Sequence, residues 1–509
     1  MIEKYYNGVI EQIYNKLGKS DNNIVMVSYN NGFSISKLES VKRYLADDNV
    51  VFAYHEYENG RLCGAYEPFL DIVRDMLDRN FIEEFMKECD VYELHRSLLK
   101  GYFEEGTCYR REGVLLNEVG YEQTRLCRAI ADMLHKLSEK TPILIVLNRF
   151  QISSRSTMEL IWRLINEPSS NIGIVLGVNE KRPQNDILNS VWEEIYEYLE
   201  DHSHIYHIGS SGKEHDTWNN DILIETRDYD KILEKIKYMY EFLDYEQAKL
   251  YLQDIECKIK FEDVRIDEGT LCKYYVLYTY NSILLAELSK ALEMVNYALQ
   301  QEMVQKSHSY MCECYYLKGT CLMYQGKLQM AEKYAKQSLH EAKLTGDEDL
   351  IFRAELLTVM AKMSGWYNIF FCVQDVHIDE TLIEKLMKNG YKNHLAHIYI
   401  YAYDNGAEMV AKAYRSEACL MYFSKGVALA VEIGNEQLVY DAYQKNIMIA
   451  STNGMNEIAM LYSVRTYEFL RTKGNILYGR ILSGIGYNLS AMGKNDEAME
   501  YYEHAIRVF

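Results

Sequence analysis

The feature that most constrains this chain is a recurring pair of small residues. Gly326 precedes Ala331, Gly454 precedes Ala459 and Gly493 precedes Ala498, each by five positions, and Ala286 stands in the same relation to Ala291. A small residue lets the chain turn between paired helices, and a second one on the returning helix lets its partner approach closely. Glycines at Gly346, Gly390, Gly434 and Gly474 then recur at steps of 44, 44 and 40 residues, three of them followed by Asp347, Asn435 or Asn475. These read as the turns between hairpins. The returning helices repeat as well: Ala248 leads to Leu252 and Ile255, Ala291 to Val295, Ala298 and Leu299, and Ala498 to Tyr502, Ala505 and Ile506. Self-similarity at this period predicts stacked helical hairpins. Only four prolines interrupt the 509 residues, which suits long helices.

The array begins where strand signals fade, near Asp228. Ile232, Leu233, Ile236, Met239, Tyr240 and Leu243 recur there at three- and four-residue steps. Upstream the pattern differs. Short β-rich runs at 23–28, 50–54, 143–147 and 172–178, with a weaker one at 204–208, are separated by helical segments. Apolar strands without alternation, between amphipathic helices, predict a parallel sheet covered on both faces. The first strand passes through YNNGFSIS into a helix, the junction where phosphates sit in nucleotide-binding α/β domains.

The array resembles the tetratricopeptide (TPR) fold, in the longer-period form of bacterial regulators related to the maltose-regulon activator. GYNLSAMGKNDEAMEYYEHAI, residues 486–506, is the closest match; residues 367–389 match poorly and 403–413 read as an insertion. The first third resembles a degenerate STAND-type P-loop ATPase domain, the kind found ahead of such arrays in bacterial signalling proteins. Three segments carry that resemblance: residues 25–45; GAYEPFLDIVRDML with Tyr66, Pro68 and Phe69; and PILIVLNRFQISSRSTMELIWRL as a Walker B strand with its following helix. The expected organisation is a P-loop-like α/β domain over 1–212, a linker over 213–228, and a TPR superhelix of about seven hairpins over 229–509.

The departures from the P-loop pattern carry the functional expectation. With Gly32 on the middle glycine of the loop, Tyr29 and Ser34 stand where the other two belong. Ile35 takes the lysine position, while Ser36 keeps the magnesium-binding hydroxyl. Asn148 and Arg149 replace the two acidic residues of the Walker B strand, and an amide and a cation are poor substitutes for carboxylates that hold magnesium and polarise water. A pseudo-ATPase with no catalytic residues and no cofactor is expected. The rival reading is a nucleotide-binding switch with residual ATP binding or hydrolysis.

By the TPR resemblance, first helices line a concave groove, and the groove-facing residues include Lys273, Tyr280, Glu313, Tyr316, Tyr324, Asp441, Gln444, Arg480 and Tyr487. Tyrosine and arginine suit recognition because each offers a large contact area with a polar tip. The expected function is a non-catalytic sensor or scaffold of a bacterial signalling protein, binding a protein or peptide in that groove. A homo-oligomeric adaptor is a third reading. An output domain often follows such arrays by resemblance, and none is recognisable before Phe509.

A net charge of −20, from 75 acidic and 55 basic residues, opposes binding to nucleic acid or an anionic membrane. No run approaches the roughly 20 apolar residues of a membrane span, and a cytoplasmic location is expected. The eleven cysteines form no Cys-x-x-Cys pair and read as small buried hydrophobes, as at Cys272, Cys321 and Cys419. No metal site is expected: Cys312 and Cys314 near His308 diverge on a helix, and of His202, His204 and His207 only the first two share a strand face.

Overall fold

The structure is a computed structural model that describes residues 2–20, 23–29, 49–58, 61–108, 110, 112–179, 186–208, 228–261, 266–364, 380–400, 417–452, 454–470 and 476–508. It divides into two compact units. The first holds residues 1–91, 95–110 and 115–303; the second holds 92–94, 111–114 and 304–509.

In the first unit five strands, β1 (Ile24–Tyr29), β2 (Val51–Glu56), β3 (Ile143–Asn148), β4 (Ile172–Asn179) and β5 (Ile205–Ile208), form one sheet in the order β2-β3-β4-β1-β5. Every pairing is parallel. Parallel strands need crossovers, and helices α1 (Ile2–Lys16), α2 (Phe69–Met76), α3 (Ile82–Glu88), α4 (Glu93–Glu105), α5 (Val119–Ser138), α6 (Arg155–Asn166) and α7 (Asp186–Asp201) intervene between or precede them. The apolar runs lack alternation because both faces are covered: β1 and β3 are buried along their whole length. On one face Tyr6, Val9, Ile10 and Ile13 of α1 pack on Val25, Val27, Leu144, Val146 and Val175. That spacing is the stripe of an amphipathic helix, and the charged residues of the N-terminal segment fall between.

The same unit contains two helical hairpins, α8 (Tyr229–Glu241) with α9 (Tyr245–Phe261) and α10 (Glu268–Leu284) with α11 (Leu288–Gln300). Ile232, Leu233, Ile236 and Met239 are buried as the periodicity predicts. Leu243 is not part of that helical face. It lies in the turn with a left-handed backbone (φ 65°), at the position that Ala286 (φ 59°) occupies in the next hairpin and Gly326, Gly454 and Gly493 occupy later. In each case the next residue's N–H closes on the carbonyl five positions back: Asp244 on Met239, Glu287 on Ser282, Lys327 on Leu322, Met455 on Ala450 and Lys494 on Leu489, at 2.8–2.9 Å. This is the Schellman closure of a helix end, which requires a positive φ at one residue.

A polar seam ties the turn between α8 and α9 to the sheet layer. Ser156, in the first turn of α6, donates its hydroxyl and, at 3.2 Å, its N–H to the wholly buried carboxylate of Asp244. Gln123 donates to the Leu243 carbonyl at 2.8 Å, Arg110 to the Glu241 carbonyl at 2.7 Å, and the Tyr251 hydroxyl accepts from Cys63 N–H at 3.0 Å. Burial dominates the Asp244 acid and pushes its pKa up to about 7. His95 lies beneath the seam, 2.9 Å from Glu122, and desolvation holds its pKa down at about 4 despite that carboxylate.

In the second unit the hairpins pair α12 (His308–Tyr324) with α13 (Leu328–Thr345), α14 (Glu348–Ser364) with α15 (Glu380–Lys388), α16 over residues 392–400 with α17 (Glu417–Ile433), α18 (Glu436–Thr452) with α19 (Asn456–Leu470), and α20 (Ile476–Ala491) with α21 (Asn495–Val508). Ala331, Ala459 and Ala498 are buried where the helices meet. The glycines between hairpins end one helix and the following Asp or Asn starts the next. Gly346 and Gly434 have φ of 71° and 76°, and the Asp347 and Asn435 side chains accept from Leu350 and Leu438 N–H at 3.2 and 2.9 Å. Gly474, Asn475, the surroundings of Cys419 and the 403–413 insertion lie outside the described residues. Ile506, grouped by spacing with Ala498 and Ala505, is 74% exposed: on this helix the buried face is the alanine face.

Segments 92–94 and 111–114 complete this unit. Tyr92 and Leu94 join Leu356, Leu395, Ile398 and Leu438 in its core. The Glu112 carboxylate accepts from Asn393 N–H at 3.2 Å and from His394 N–H, and meets His394 Nδ1 at 2.5 Å. Tyr92 hydroxyl and Asn435 amide both donate to Asn393 Oδ1, at 3.2 and 2.6 Å.

Candidate functional site

The strand order reverses beside β1, which lies between β4 and β5, and open α/β sheets bind ligands at the carboxyl ends of strands at such a point. Here the carboxyl ends carry Tyr29, Glu56 and Asn148, with Asn148 in register with Glu56 on one side and Gly177 on the other. The Tyr29 hydroxyl donates to Asn148 Oδ1, which also accepts Arg149 N–H at 3.1 Å. Arg149 itself sits in the left-handed region (φ 56°) as the chain leaves β3 for α6. Its guanidinium stands 3.8 Å from Glu56, whose second oxygen accepts the Tyr54 hydroxyl at 2.8 Å.

Tyr6 of α1 closes the cluster, edge-on to Tyr29 with ring centroids 6.4 Å apart. Burial raises the Tyr6 phenol and pushes Tyr29 up to about 12, so both stay protonated at neutral pH. Gly177 makes room for this packing: a Cβ there would stand 2.8 Å from both Asn148 Oδ1 and the Tyr6 hydroxyl. Of the loop residues, Tyr29 is buried at the end of β1, while Gly32, Ser34, Ile35 and Ser36 lie outside the described residues. Sequence reading missed Tyr6, Tyr54, Glu56 and Gly177. All four come from other elements, α1, β2 and β4, and only the strand register brings Glu56 beside Asn148.

The candidates on the array fall on first helices, and several link one first helix to the next. In the first unit Lys273 of α10 pairs with Asp230 of α8 at 2.8 Å, and Tyr280 of α10 packs on Tyr240 of α8 with centroids 5.8 Å apart. In the second, Arg353 of α14 lies 3.6 Å from Glu313 and 4.8 Å above the ring of Tyr316, both on α12. Tyr324 is half-buried at the end of α12. Asp441 accepts from Gln437 at 2.8 Å, and the Gln444 amide nitrogen is buried with no hydrogen-bond acceptor among the described residues. Arg480 and Tyr487 are exposed on α20, and Arg480 is close enough to Tyr440 to act on it electrostatically. Sequence reading missed Asp230 and Arg353, and it placed Tyr240 on the apolar face of α8, where the ring is half-buried and packs on Tyr280 instead. The partners of the residues it singled out were one repeat away.

The histidine and cysteine groups do not converge. His308 turns to Glu341 at 2.8 Å and Cys312 meets Ser338, while His202 stacks on Tyr198 at 4.1 Å. Among the described residues no three His, Cys, Asp or Glu side chains gather as metal ligands, and no helix is long and apolar enough to cross a membrane. Cys272 and Cys321 are buried free thiols.

No protein-family model and no curated protein matches the chain. Among solved structures it is similar to the STAND protein with a tetratricopeptide repeat sensor from Pyrococcus horikoshii, at 11% identity and a TM-score of 0.45, over 98% of this chain and 88% of that one. A Rap protein complexed with competence and sporulation factor aligns at 14% identity and a TM-score of 0.35, over 55% of this chain and 76% of that one. NprR in complex with its cognate peptide NprX aligns at 15% and 0.35, over 55% and 78%. In its own fold, the chain is an α/β domain with a five-stranded parallel sheet followed by an array of helical hairpins.

Proposed function

We propose that the protein is a non-catalytic sensor or scaffold that binds a peptide or protein segment along the first helices of its array. The observation that carries this reading is the band of paired polar and aromatic side chains on successive first helices. Arg353 over Tyr316 beside Glu313 is the best-formed part of it. Such side chains are held by one another across neighbouring repeats, so they meet a ligand with little further loss of rotamer freedom. Gln444 adds a buried donor that a peptide carbonyl could satisfy.

The sheet end supports the other half of the proposal, that no nucleotide is hydrolysed. Magnesium needs free carboxylate or hydroxyl oxygens, and a water nucleophile needs a base. Glu56 is shared between Arg149 and Tyr54, and Asn148 accepts from Tyr29. In the alignment that sets Gly32 on the loop's middle glycine, Tyr29 takes the first glycine's position, and its phenol is buried against Asn148.

The test begins with a peptide selected by display on the full chain and measured by calorimetry. The paired variant Tyr324→Ala with Arg480→Ala should weaken it by about 2 kcal/mol or more, roughly thirtyfold. The paired variant Ser34→Ala with Ser36→Ala should bind as the parent does. Loss in the loop variant alone, with both proteins folded, would place recognition in the sheet domain and sink the proposal. Steady magnesium-dependent ATP turnover that disappears with Ser36→Ala would sink its non-catalytic half.

A further inference from the structure

A cavity of about 540 Å³ opens between the segment that follows β2 and helix α8, with Leu62 and Met239 of the hairpin core in its lining. Its size falls within the roughly 300–1,000 Å³ of small-molecule sites. The floor is apolar: Leu62, Leu70 and Met239 are each at most 5% exposed. The charges around it are distributed unevenly. One oxygen of Asp71 takes both the Tyr102 hydroxyl at 2.6 Å and Arg74 at 2.9 Å, Arg61 stands 3.9 Å from Glu58, Lys231 pairs with Asp228 at 2.8 Å, and Glu234, also in the lining, acts electrostatically on the same Lys231.

Two charged groups of the lining remain, Glu67 in the segment after β2 and Lys235 on α8. Glu67 is fixed in place, one oxygen accepting Gly64 N–H at 2.7 Å and the other lying 3.8 Å from His55 Nε2. Desolvation holds the His55 pKa below its ordinary value, so at neutral pH that ring brings no positive charge to Glu67. Lys235 on α8 lines the same space and makes no ion pair or hydrogen bond among the described residues. Glu67 and Lys235 are not joined to each other. An oriented anion and an unengaged cation above one apolar floor call for a ligand that carries both complements.

We propose that this cavity binds a small zwitterion with an apolar body, a hydrophobic amino acid or short unblocked peptide, whose ammonium group meets Glu67, whose carboxylate meets Lys235, and whose side chains lie on Leu62, Leu70 and Met239. A simple anion would leave its charge against Glu67, and a simple cation against Lys235. Bound in this way, the ligand spans the loop that follows the sheet's edge strand and the first helix of the array, so it would strengthen their attachment. The site is separate from the one on the first helices, and either can hold without the other.

The experiment is calorimetry of the full chain with leucine, dileucine and trileucine, each also in N-acetylated and C-amidated form. At least one of the free forms should bind with Kd below about 1 mM, and either cap should weaken it about tenfold or more, the loss of one charge-assisted contact. Glu67→Gln, which keeps an oxygen for Gly64 N–H, should remove the discrimination against the acetyl cap alone. Lys235→Gln should remove the discrimination against the amide cap alone. The variant Tyr324→Ala with Arg480→Ala should leave all of these affinities unchanged. Absence of binding up to about 10 mM, equal affinity for free and capped forms, or loss of binding in the array variant with Glu67→Gln unaffected would each overturn the proposal.

Discussion

Replacing Asp244 by asparagine should free the protein from a pH-dependent cost. Asp244 is buried between α6 and the turn before α9, and both Ser156 donors converge on one of its oxygens. Burial outweighs those donors, with Glu246 and Glu159 adding like charge, and the acid titrates at about 7. An unfolded aspartate titrates near 3.9. The folded value is the higher one, so folding favours the protonated acid. Its contribution is full below about pH 4 and is lost as pH rises through about 7. Integrated with these two values, the group withdraws about 2 kcal/mol of stability between about pH 5.5 and 8. Asparagine offers an uncharged oxygen to Ser156 and does not titrate. Urea unfolding of parent and Asp244→Asn at pH 5.5, 6.5, 7.5 and 8 should therefore show the difference between them moving in the variant's favour by about 2 kcal/mol across the window. Comparing the two at each pH cancels the many other titrating groups of an acidic protein. Parallel stability profiles would refute the reasoning, because the carboxyl would then be ionised in the fold throughout.

Other substitutions test the packing. Ala286→Gly should raise stability by about 0.5–1 kcal/mol, since an exposed alanine there holds φ at 59°, whereas Gly326→Ala should lower it by about 1 kcal/mol, both by thermal unfolding. Gly177→Ala forces a methyl group against Asn148 and Tyr6 and should cost about 1–3 kcal/mol in urea unfolding. Ala498→Phe should cost a similar amount by separating α20 from α21; an unchanged melting curve would show that these helices are paired wrongly.

The helical hairpins were legible because their signals are local. A glycine that must adopt φ near 75° and an alanine five residues on, where helices touch, are read within a short window. The turn at Leu243 was not, because a buried leucine there looks like one more core residue on the face of α8. Tyr29 and Asn148 could be singled out by position in a motif, but the bond between them depends on β4 lying between β1 and β3, a matter of strand order. The same holds for Asp244 with Ser156, whose pairing follows from how α9 begins against α6 and leaves no mark in either segment.

The bonds from Tyr92 to Asn393 and from Glu112 to His394 also bear on synthesis. A plain repeat array can settle hairpin by hairpin as it leaves the ribosome, since each repeat leans only on its neighbours. Here the second unit includes residues that emerge 301 and 282 positions before their partners. At 5–20 residues per second those segments wait roughly 15–60 s for α16. During that interval Leu94 and Tyr92 lack the apolar surface that later buries them, and Glu112 lacks the helix end it will cap. The interval sets a period of exposure in which a chaperone would find this stretch, and it makes ribosome-bound chains truncated before residue 391 the place to look for one.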